Sequence, residues 1–230
     1  MSGFNWVEDL SASVRKALID KARIKVFADG CTIYAQGDVV TDVFQIITGE
    51  IRQCILTPDG QEVLMYIYRS GDLVGDSSVV EDDPYSVTIL ARGEVTARAW
   101  SIKDFAALRT AHPEIEAAIS AQSSRRLRST LKLLEELLTQ PLAARVASRV
   151  FWLSKMIGAS PDGADLSLSQ ADLGLMVGSA RQNVNRVVQE LRKLKLIETE
   201  YGRVVVRDPE GLKRYISEHQ RHSRDDLSDQ

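Results

Sequence analysis

Apolar residues recur along this chain with two different periods, and the switches between them mark its parts. Over residues 6–25, Val7, Leu10, Val14, Leu18 and Ile19 return every three or four positions, which predicts a short amphipathic leading helix. From residue 26 to residue 100 the pattern breaks into short runs rich in β-branched and aromatic residues, at 43–47, 51–56, 63–68, 87–91 and 94–100. Gly30, Gly37, Gly49, Gly60, Gly71 and Gly75 punctuate these runs as turns. Pro58-Asp59-Gly60 predicts a hairpin turn, because proline and glycine each preset a dihedral angle. Strands this short and closely spaced predict a compact β-barrel or β-roll.

From residue 102 to about residue 158 the period becomes helical again, interrupted at Pro113 and Pro141. The longest helix starts at His112-Pro113 and runs to about Thr139. Along it Leu127, Leu131, Leu134 and Leu138 recur at spacings of 4, 3 and 4, an a/d seam of about two heptads. Leu133 and Leu137 add a second strip, suited to lie against the β-roll. The core helix of a monomer and the seam of a dimer both fit this spacing. Pro141 starts a further helix through Met156, and residues 158–163 read as a surface turn.

Residues 169–194 predict two short helices about a tight turn. Ser169 with Asp172 three positions later is a capping box, and Leu173, Met176 and Val177 form the apolar face behind it. Gly178 ends this helix and Ser179 restarts the next as an N-cap. Gly174, a poor helix former, makes sense where a second helix crosses closely. In the second helix Val184, Val187, Val188, Leu191 and Leu194 share one face, while Arg181, Gln182, Asn185, Arg186 and Gln189 share the other. A helical hairpin of any all-α domain has this apolar pattern too. The outward face decides between them: it lacks a carboxylate before Glu190, and its guanidinium and amide groups match the edges of guanine and adenine. Residues 196–206 then read as two strands about a Tyr201-Gly202 turn, a wing whose tip reaches phosphates through Arg203. The tail from residue 217 to 230 is highly polar and reads as frayed.

At 230 residues and 44% hydrophobic, the chain suits one large or two modest domains with a sizeable core. Its net charge of −3 hides a gradient. Residues 167–207 hold seven basic residues against four acids, a surplus of three, so the remainder carries −6. A basic patch on an acidic body suits phosphate contact and limits indiscriminate binding. The first residues lack a basic stretch followed by a long apolar run, and no run of eighteen apolar residues occurs. Cys31 and Cys54 do not make a secreted-type disulfide framework, so the expected location is the cytoplasm.

Enzyme chemistry finds little footing. A metal-dependent β-roll enzyme needs histidine and carboxylate ligands, yet residues 26–100 contain no histidine. A phosphate-binding Gly-x-x-x-x-Gly-Lys loop is absent, and Asp82-Asp83 before Pro84 reads as a turn. A regulatory adaptor acting on a protein partner without DNA contact stays open as the alternative, although such a face calls for acids or large apolar anchors.

A β-roll, a long helix and a C-terminal winged helix-turn-helix, in that order, resemble the Crp/Fnr family of transcription regulators (cyclic-AMP receptor protein and fumarate–nitrate regulator). The likeness covers nearly the whole chain and is strongest at residues 71–76 (Gly-Asp-Leu-Val-Gly-Asp), 121–127 (Ala-Gln-Ser-Ser-Arg-Arg-Leu) and 178–186 (Gly-Ser-Ala-Arg-Gln-Asn-Val-Asn-Arg). It implies an α+β architecture, with a double-stranded β-roll of the cyclic-nucleotide-binding type over 1–110, a dimerisation helix over 111–140 and a winged helix-turn-helix over 141–230. It implies a homodimer seamed by Leu127, Leu131, Leu134 and Leu138, reading a palindromic site on double-stranded DNA and working with RNA polymerase. Arg181, Gln182 and Arg186 match the family's base-contacting positions. Asn185, Ser169, Gln170, Ser179 and Arg203 complete the candidate DNA contacts.

The same resemblance places an effector site at Gly75, Asp76, Tyr85, Ser86 and Thr130. Gly75-Asp76 matches a Gly-Glu pair in shortened form. Tyr85-Ser86 replaces the Arg-Ser or Arg-Thr pair whose arginine neutralises the cyclic phosphate, and Leu131 replaces a serine beside Thr130. A buried phosphate without its cation is costly, so tight cyclic-AMP binding is not expected. Two cysteines fall short of the four thiolates of an iron–sulfur cluster, and His112, His219 and His222 lie outside the roll, which argues against haem. A cyclic mono- or dinucleotide, another small ligand, a thiol switch at Cys31 or Cys54, or no ligand remain.

Overall fold

The computed structural model describes residues 6–7, 9–57, 62–81, 83–157, 164–166, 168–200 and 202–228. Two compact units make up the chain, one ending at Arg128 and the other beginning at Ser129. That boundary falls inside the long helix, which is therefore shared between the units.

The first unit starts with helix α1 (Ala12–Lys21) and strands β1 (Arg23–Phe27), β2 (Thr32–Tyr34), β3 (Asp42–Leu56), β4 (Glu62–Tyr68) and β5 (Leu73–Val74). Helix α2 (Asp76–Glu81), strand β6 (Thr88–Ser101), helix α3 (Ile102–Ala111) and the first part of α4 (Pro113–Thr139) follow. The strands form a six-stranded antiparallel sheet in the order β1-β6-β3-β4, with β2 also paired to β6 and β5 to β3. Its spine is the pairing of β3 with β6, from Asp42 opposite Ser101 to Cys54 opposite Thr88.

This spine differs from the expected string of separate short strands. Runs 43–47 and 51–56 are parts of one strand, and runs 87–91 and 94–100 are parts of another. Gly49, expected as a turn, is a bulge: the register shifts on both sides of Thr48. Its φ is 88°, and a Cβ there would lie 2.5 Å from the Glu94 carbonyl oxygen. Glycine at positive φ serves a turn or a bulge equally, so its presence alone does not end a strand.

The leading helix is also shorter than the periodicity suggests. It stops at Lys21, and Lys25 belongs to β1, where pairing with β6 wins over helical spacing. Val7, Leu10, Val14 and Leu18 are buried as expected, but Ile19 is exposed. They pack with Trp6, Trp100, Phe105, Ile115 and Ile119 in a core beside the roll, where Trp100 Nε1 donates to the Leu18 carbonyl at 2.8 Å. A second core fills the roll interior around Tyr34, Phe44, Ile51, Tyr85 and Ile89. Burial of each such large apolar side chain contributes about 1.5–3 kcal/mol.

The second unit holds the rest of α4, then α5 (Leu142–Ile157), β7 (Ala164–Leu166), α6 (Gln170–Val177), α7 (Arg181–Lys193), β8 (Ile197–Glu200), β9 (Arg203–Val206) and α8 (Pro209–Ser228). Its sheet runs β7-β9-β8, so the expected two-stranded wing has a third strand. Three residues are too few for β7 to show an alternating pattern in the sequence. The polar tail is helical to Ser228 rather than frayed. Asp208 accepts from the Gly211 amide at 2.8 Å at the start of α8, and Leu212 and Tyr215 are buried along it. A buried ion pair, Glu136 with Arg149, ties α4 to α5, and the Arg149 guanidinium lies 5.7 Å from the Trp152 ring centre. The Pro58-Asp59-Gly60 turn, the 158–163 turn, Asp82 and Tyr201 lie outside the described residues.

Candidate nucleic-acid interface and effector site

Helix α6 begins with the capping box read from the sequence. The Asp172 amide donates to Ser169 Oγ at 3.0 Å, and the Ser169 amide donates to Asp172 Oδ2 at 3.0 Å. Its end is Gly178 in the left-handed region, at φ 60° and ψ 46°. Gly174 is needed where the chain folds back: the Ser179 amide donates to the Gly174 carbonyl, and a Cβ on Gly174 would lie 2.8 Å from the Ser179 carbonyl oxygen. The tightest approach is thus to the turn, with the first residue of α7, Arg181, next at 3.8 Å.

Two expectations about α7 are corrected. Its N-cap is Ala180, not Ser179, because the Ser179 amide closes the turn and the Asn183 and Val184 amides bond to the Ala180 carbonyl. Leu194 lies beyond the last helical residue and is exposed, leaving Val184, Val187, Val188 and Leu191 as the buried face. The opposite face presents Arg181, Gln182, Asn185, Arg186 and Gln189 to solvent. Gln189 Nε2 donates to Asn185 Oδ1 at 3.3 Å, and Arg192 donates to Gln189 Oε1 at 3.1 Å, so these side chains form a hydrogen-bonded row. Among the described residues, no carboxylate pairs with Arg181 or Arg186. Their charge is therefore available to an incoming partner.

The wing brings further candidates together. Ser169, Gln170 and Arg203 line one groove of about 220 Å³, with Thr199, Glu200 and Gly202. Arg203 lies 3.6 Å from Glu200, a half-exposed pair that is worth little in water. Ser179 is half-buried in the turn before α7.

In the roll, Gly75 (φ 83°) sits where a Cβ would come 3.0 Å from the Asp42 carbonyl oxygen and 3.3 Å from the Tyr85 ring. Asp76 follows at the start of α2 and is only 1% exposed. Its partner went unassigned in the sequence: Arg126 of α4 donates to both Asp76 oxygens, at 2.9 and 3.1 Å, and to the Leu73 carbonyl. The same guanidinium lies 5.3 Å from the Tyr68 ring centre. Burial opposes the Arg126 charge, but Tyr68 and Asp76 outweigh it and hold its pKa above the ordinary value. Burial pushes the Tyr68 hydroxyl up to about 12. Burial also raises the neighbouring Asp72 carboxyl to about 6, although the Arg69 amide donates to it at 2.8 Å. A signal for Arg126 exists in the sequence. It continues the inward row Ile115, Ile119, Gln122 at spacings of 4, 3 and 4, and a cation on a buried row needs an anion.

Tyr85 is stacked on Tyr34, ring centres 3.7 Å apart, and is buried. Its hydroxyl donates to the Asp42 carbonyl at 2.7 Å and accepts from the Thr41 and Asp42 amides. Gly75, Asp76 and Tyr85 are thus neighbours, Ser86 beside them is exposed, and Thr130 is exposed on the part of α4 that belongs to the second unit. Leu127, Leu131, Leu134 and Leu138 are 60%, 55%, 50% and 76% exposed, a bare apolar stripe along α4. Leu133 is buried and Leu137 is 38% exposed. Cys54 is buried and Cys31 exposed. Among the described residues, no cluster of three or more His, Cys, Asp or Glu side chains is arranged to hold a metal, and no helix is long and apolar enough to cross a membrane.

Comparison with known proteins agrees with this geometry. The family model for the cyclic nucleotide-binding domain matches residues 24–112, and that for the Crp-like helix-turn-helix domain matches residues 144–215. The cAMP-activated global transcriptional regulator CRP of Pasteurella multocida is 26% identical over 191 residues, covering 82% of this chain and 91% of that one. The CRP-like cAMP-activated global transcriptional regulator of Mycobacterium tuberculosis is 27% identical over 191 residues, covering 82% of this chain and 85% of its own. Among solved structures, the c-di-GMP responsive global regulator CLP of Xanthomonas campestris superposes with a TM-score of 0.75 at 22% identity, covering 85% of this chain and 99% of that one. These relatives are transcription regulators rather than enzymes, and the DNA-binding reading stands over the adaptor alternative. A β-roll domain, a long helix and a helix-turn-helix whose reading face is bare of acids make this chain a DNA-binding transcription regulator of the Crp/Fnr family.

Proposed function

We propose that two copies of the chain join along Leu127, Leu131, Leu134 and Leu138 and read a palindromic site with their two α7 helices. Arg181, Gln182, Asn185 and Arg186 face base edges, while Ser169, Gln170, Ser179 and Arg203 hold phosphates. The half-sites lie about 34 Å apart, one turn of duplex. The observation that carries this reading is the solvent face of α7, a row of guanidinium and amide groups whose arginines have no carboxylate partner among the described residues. Gln182 both donates and accepts, which suits adenine. The regulator acts in the cytoplasm with RNA polymerase as its protein partner, in keeping with relatives named as global transcriptional regulators.

The test is selection of a site from random duplexes, followed by a base-substitution panel. Arg181→Ala is expected to cost about 1–3 kcal/mol of binding and to relax preference at one base. An equal loss on every sequence makes Arg181 a phosphate contact instead.

The effector of this reading is a cyclic mono- or dinucleotide at Gly75, Asp76, Tyr85 and Ser86. The cyclic nucleotide-binding match supports it, as do relatives described as cAMP-activated and a structural neighbour described as c-di-GMP responsive. Arg126 holds Asp76, so a ligand hydroxyl that takes this carboxylate shares or displaces the Arg126 pair. Because Arg126 is carried by α4, the exchange bears on the helix that also carries the leucine stripe. Isothermal titration with cyclic AMP and with cyclic di-GMP is expected to give heat for one of them, lost in Asp76→Ala. Silence with both means that Arg126 alone occupies the carboxylate.

A further inference from the structure

Beyond the reading residues of α7 lies a second basic surface. Gln189, Arg192, Lys193, Lys195, Glu198 and Arg207 line a groove of about 590 Å³ between the end of α7 and the wing strands. Four cations face one acid there, and that acid, Glu198, already pairs with Arg207 at 2.7 Å. Lys193 and Lys195 have no carboxylate partner among the described residues.

The backbone at Lys195 adds an independent observation. Helix α7 ends in a Schellman turn, with the Leu196 amide bonded to the Leu191 carbonyl and the Lys195 amide to that of Arg192. This turn puts Lys195 at φ 57°, the one non-glycine residue at positive φ among those described. Glycine is the usual occupant of such a position, and α6 ends on Gly178 in the same conformation. At Lys195 the chain instead carries a long cation at a conformational cost, which is the mark of a side chain kept for use.

The helix geometry says what that use is. On a wheel of 100° per residue, Arg192 and Lys193 fall within the arc spanned by Arg181, Gln182, Asn185, Arg186 and Gln189, so the cations extend the reading stripe. Thirteen residues make α7 about 20 Å long, whereas the major groove is about 12 Å wide. Where such a helix crosses the groove obliquely and reads bases from its first turns, its last turn passes the groove edge to the phosphate wall.

We infer that Arg192, Lys193, Lys195 and Arg207 form a phosphate clamp for the DNA backbone beside the half-site, separate from base reading and from the wing tip at Arg203. This rests on the assignment of α7 as the reading helix. Lys195 strengthens binding to every sequence alike while weakening the fold that carries it, so the two properties move in opposite directions when it is replaced.

The experiment uses the full chain, a selected palindromic duplex and a scrambled duplex, with affinity measured by fluorescence anisotropy over a salt series. Lys195→Gly is expected to raise Tm by about 2 °C and to flatten the plot of log affinity against log salt by about 0.9 per chain bound. Affinity falls several-fold on both duplexes, with base preference unchanged. Lys195→Arg keeps the slope. Arg192→Gln with Lys193→Gln, which leaves the turn intact, flattens it by about twice as much. Phosphate ethylation that blocks the wild type no longer matters to these variants. A Lys195→Gly chain that gains Tm but keeps the slope and affinity overturns the clamp, and leaves the groove to an acidic protein surface. Arg181→Ala separates the two failures. If it alters base preference while the charge variants do nothing, only the clamp falls; if the wild type prefers no duplex at all, the reading of α7 falls with it.

Discussion

Helices α4 and α7 carry apolar stripes with nearly the same sequence spacing, yet the structure treats them in opposite ways. Val184, Val187, Val188 and Leu191 of α7 are buried by their own unit, while Leu127, Leu131, Leu134 and Leu138 of α4 lie open. Earlier on α4, Ile115 and Ile119 are covered by the core around Trp6 and Trp100. The contrast teaches that periodicity reports a face and says nothing of what covers it. A covered stripe belongs to the chain's own stability. A bare stripe of four leucines on a helix is costly to leave in water, and on the proposed reading a second copy covers it. The polar faces invert the same logic, since the inward charges Arg126 and Glu136 of α4 are paired with Asp76 and Arg149, while among the described residues Arg181 and Arg186 on the outward face of α7 have no carboxylate partner.

The largest effect is expected on the inward side of α4. Glu136→Ala leaves the buried Arg149 guanidinium without its carboxylate and should cost about 3–5 kcal/mol, read as a lower urea midpoint of the second unit. Next comes a matched pair of truncations. Leu191→Ala on α7 should cost about 2–5 kcal/mol at every protein concentration, because a cavity opens in the unit's own core. Leu131→Ala on α4 should leave the stability of the dilute single chain within about 0.5 kcal/mol and instead weaken self-association by sedimentation. Equal stability losses at the two sites, independent of concentration, would erase the contrast.

The smallest effect concerns the covered interior of the roll and its pH dependence. Burial raises the Asp72 carboxyl to about 6 in the folded chain, so the folded state holds its proton longer than the unfolded state. That contribution is fully present below the unfolded value near 3.8 and is lost as pH rises through about 6. Urea midpoints should therefore fall between about pH 4 and pH 7 by an amount equivalent to about 1–3 kcal/mol. In Asp72→Asn the fall should vanish. A wild type whose stability is flat from pH 4 to pH 7 and climbs only below about pH 4, through a step that Asp72→Asn removes, would show the carboxyl to be held low instead.

The coarse order of leading helix, β-roll, long helix, helix-turn-helix and wing was legible because hydrophobic periods, prolines and turn chemistry all agreed on it, whereas the short elements β1, β2, β5, α2 and β7 carry too few residues to show a period. The α6 capping box and the Gly178 cap were read correctly from residue types whose conformational roles are narrow. Gly49 was misread because glycine at positive φ serves bulges and turns alike, and only the β3–β6 pairing distinguishes them. The helix over Pro209–Ser228 was missed because its anchoring residues, Leu212 and Tyr215, precede the polar stretch they support. On the reading helix the outward residues were all in view, whereas the start at Ala180 depended on which amide closes the turn. In the roll, Asp76 was legible by resemblance, but its partner lies 50 positions away and no local pattern joins them.

Sedimentation velocity of the full chain with a selected palindromic duplex puts both stripes to trial at once. Two chains per duplex, reduced to weak or single occupancy by Leu131→Glu with Leu138→Glu while α7 stays unaltered, is the predicted result. One wild-type chain on a duplex with a single half-site, bound as tightly as the palindrome and unaffected by the glutamates, would contradict it.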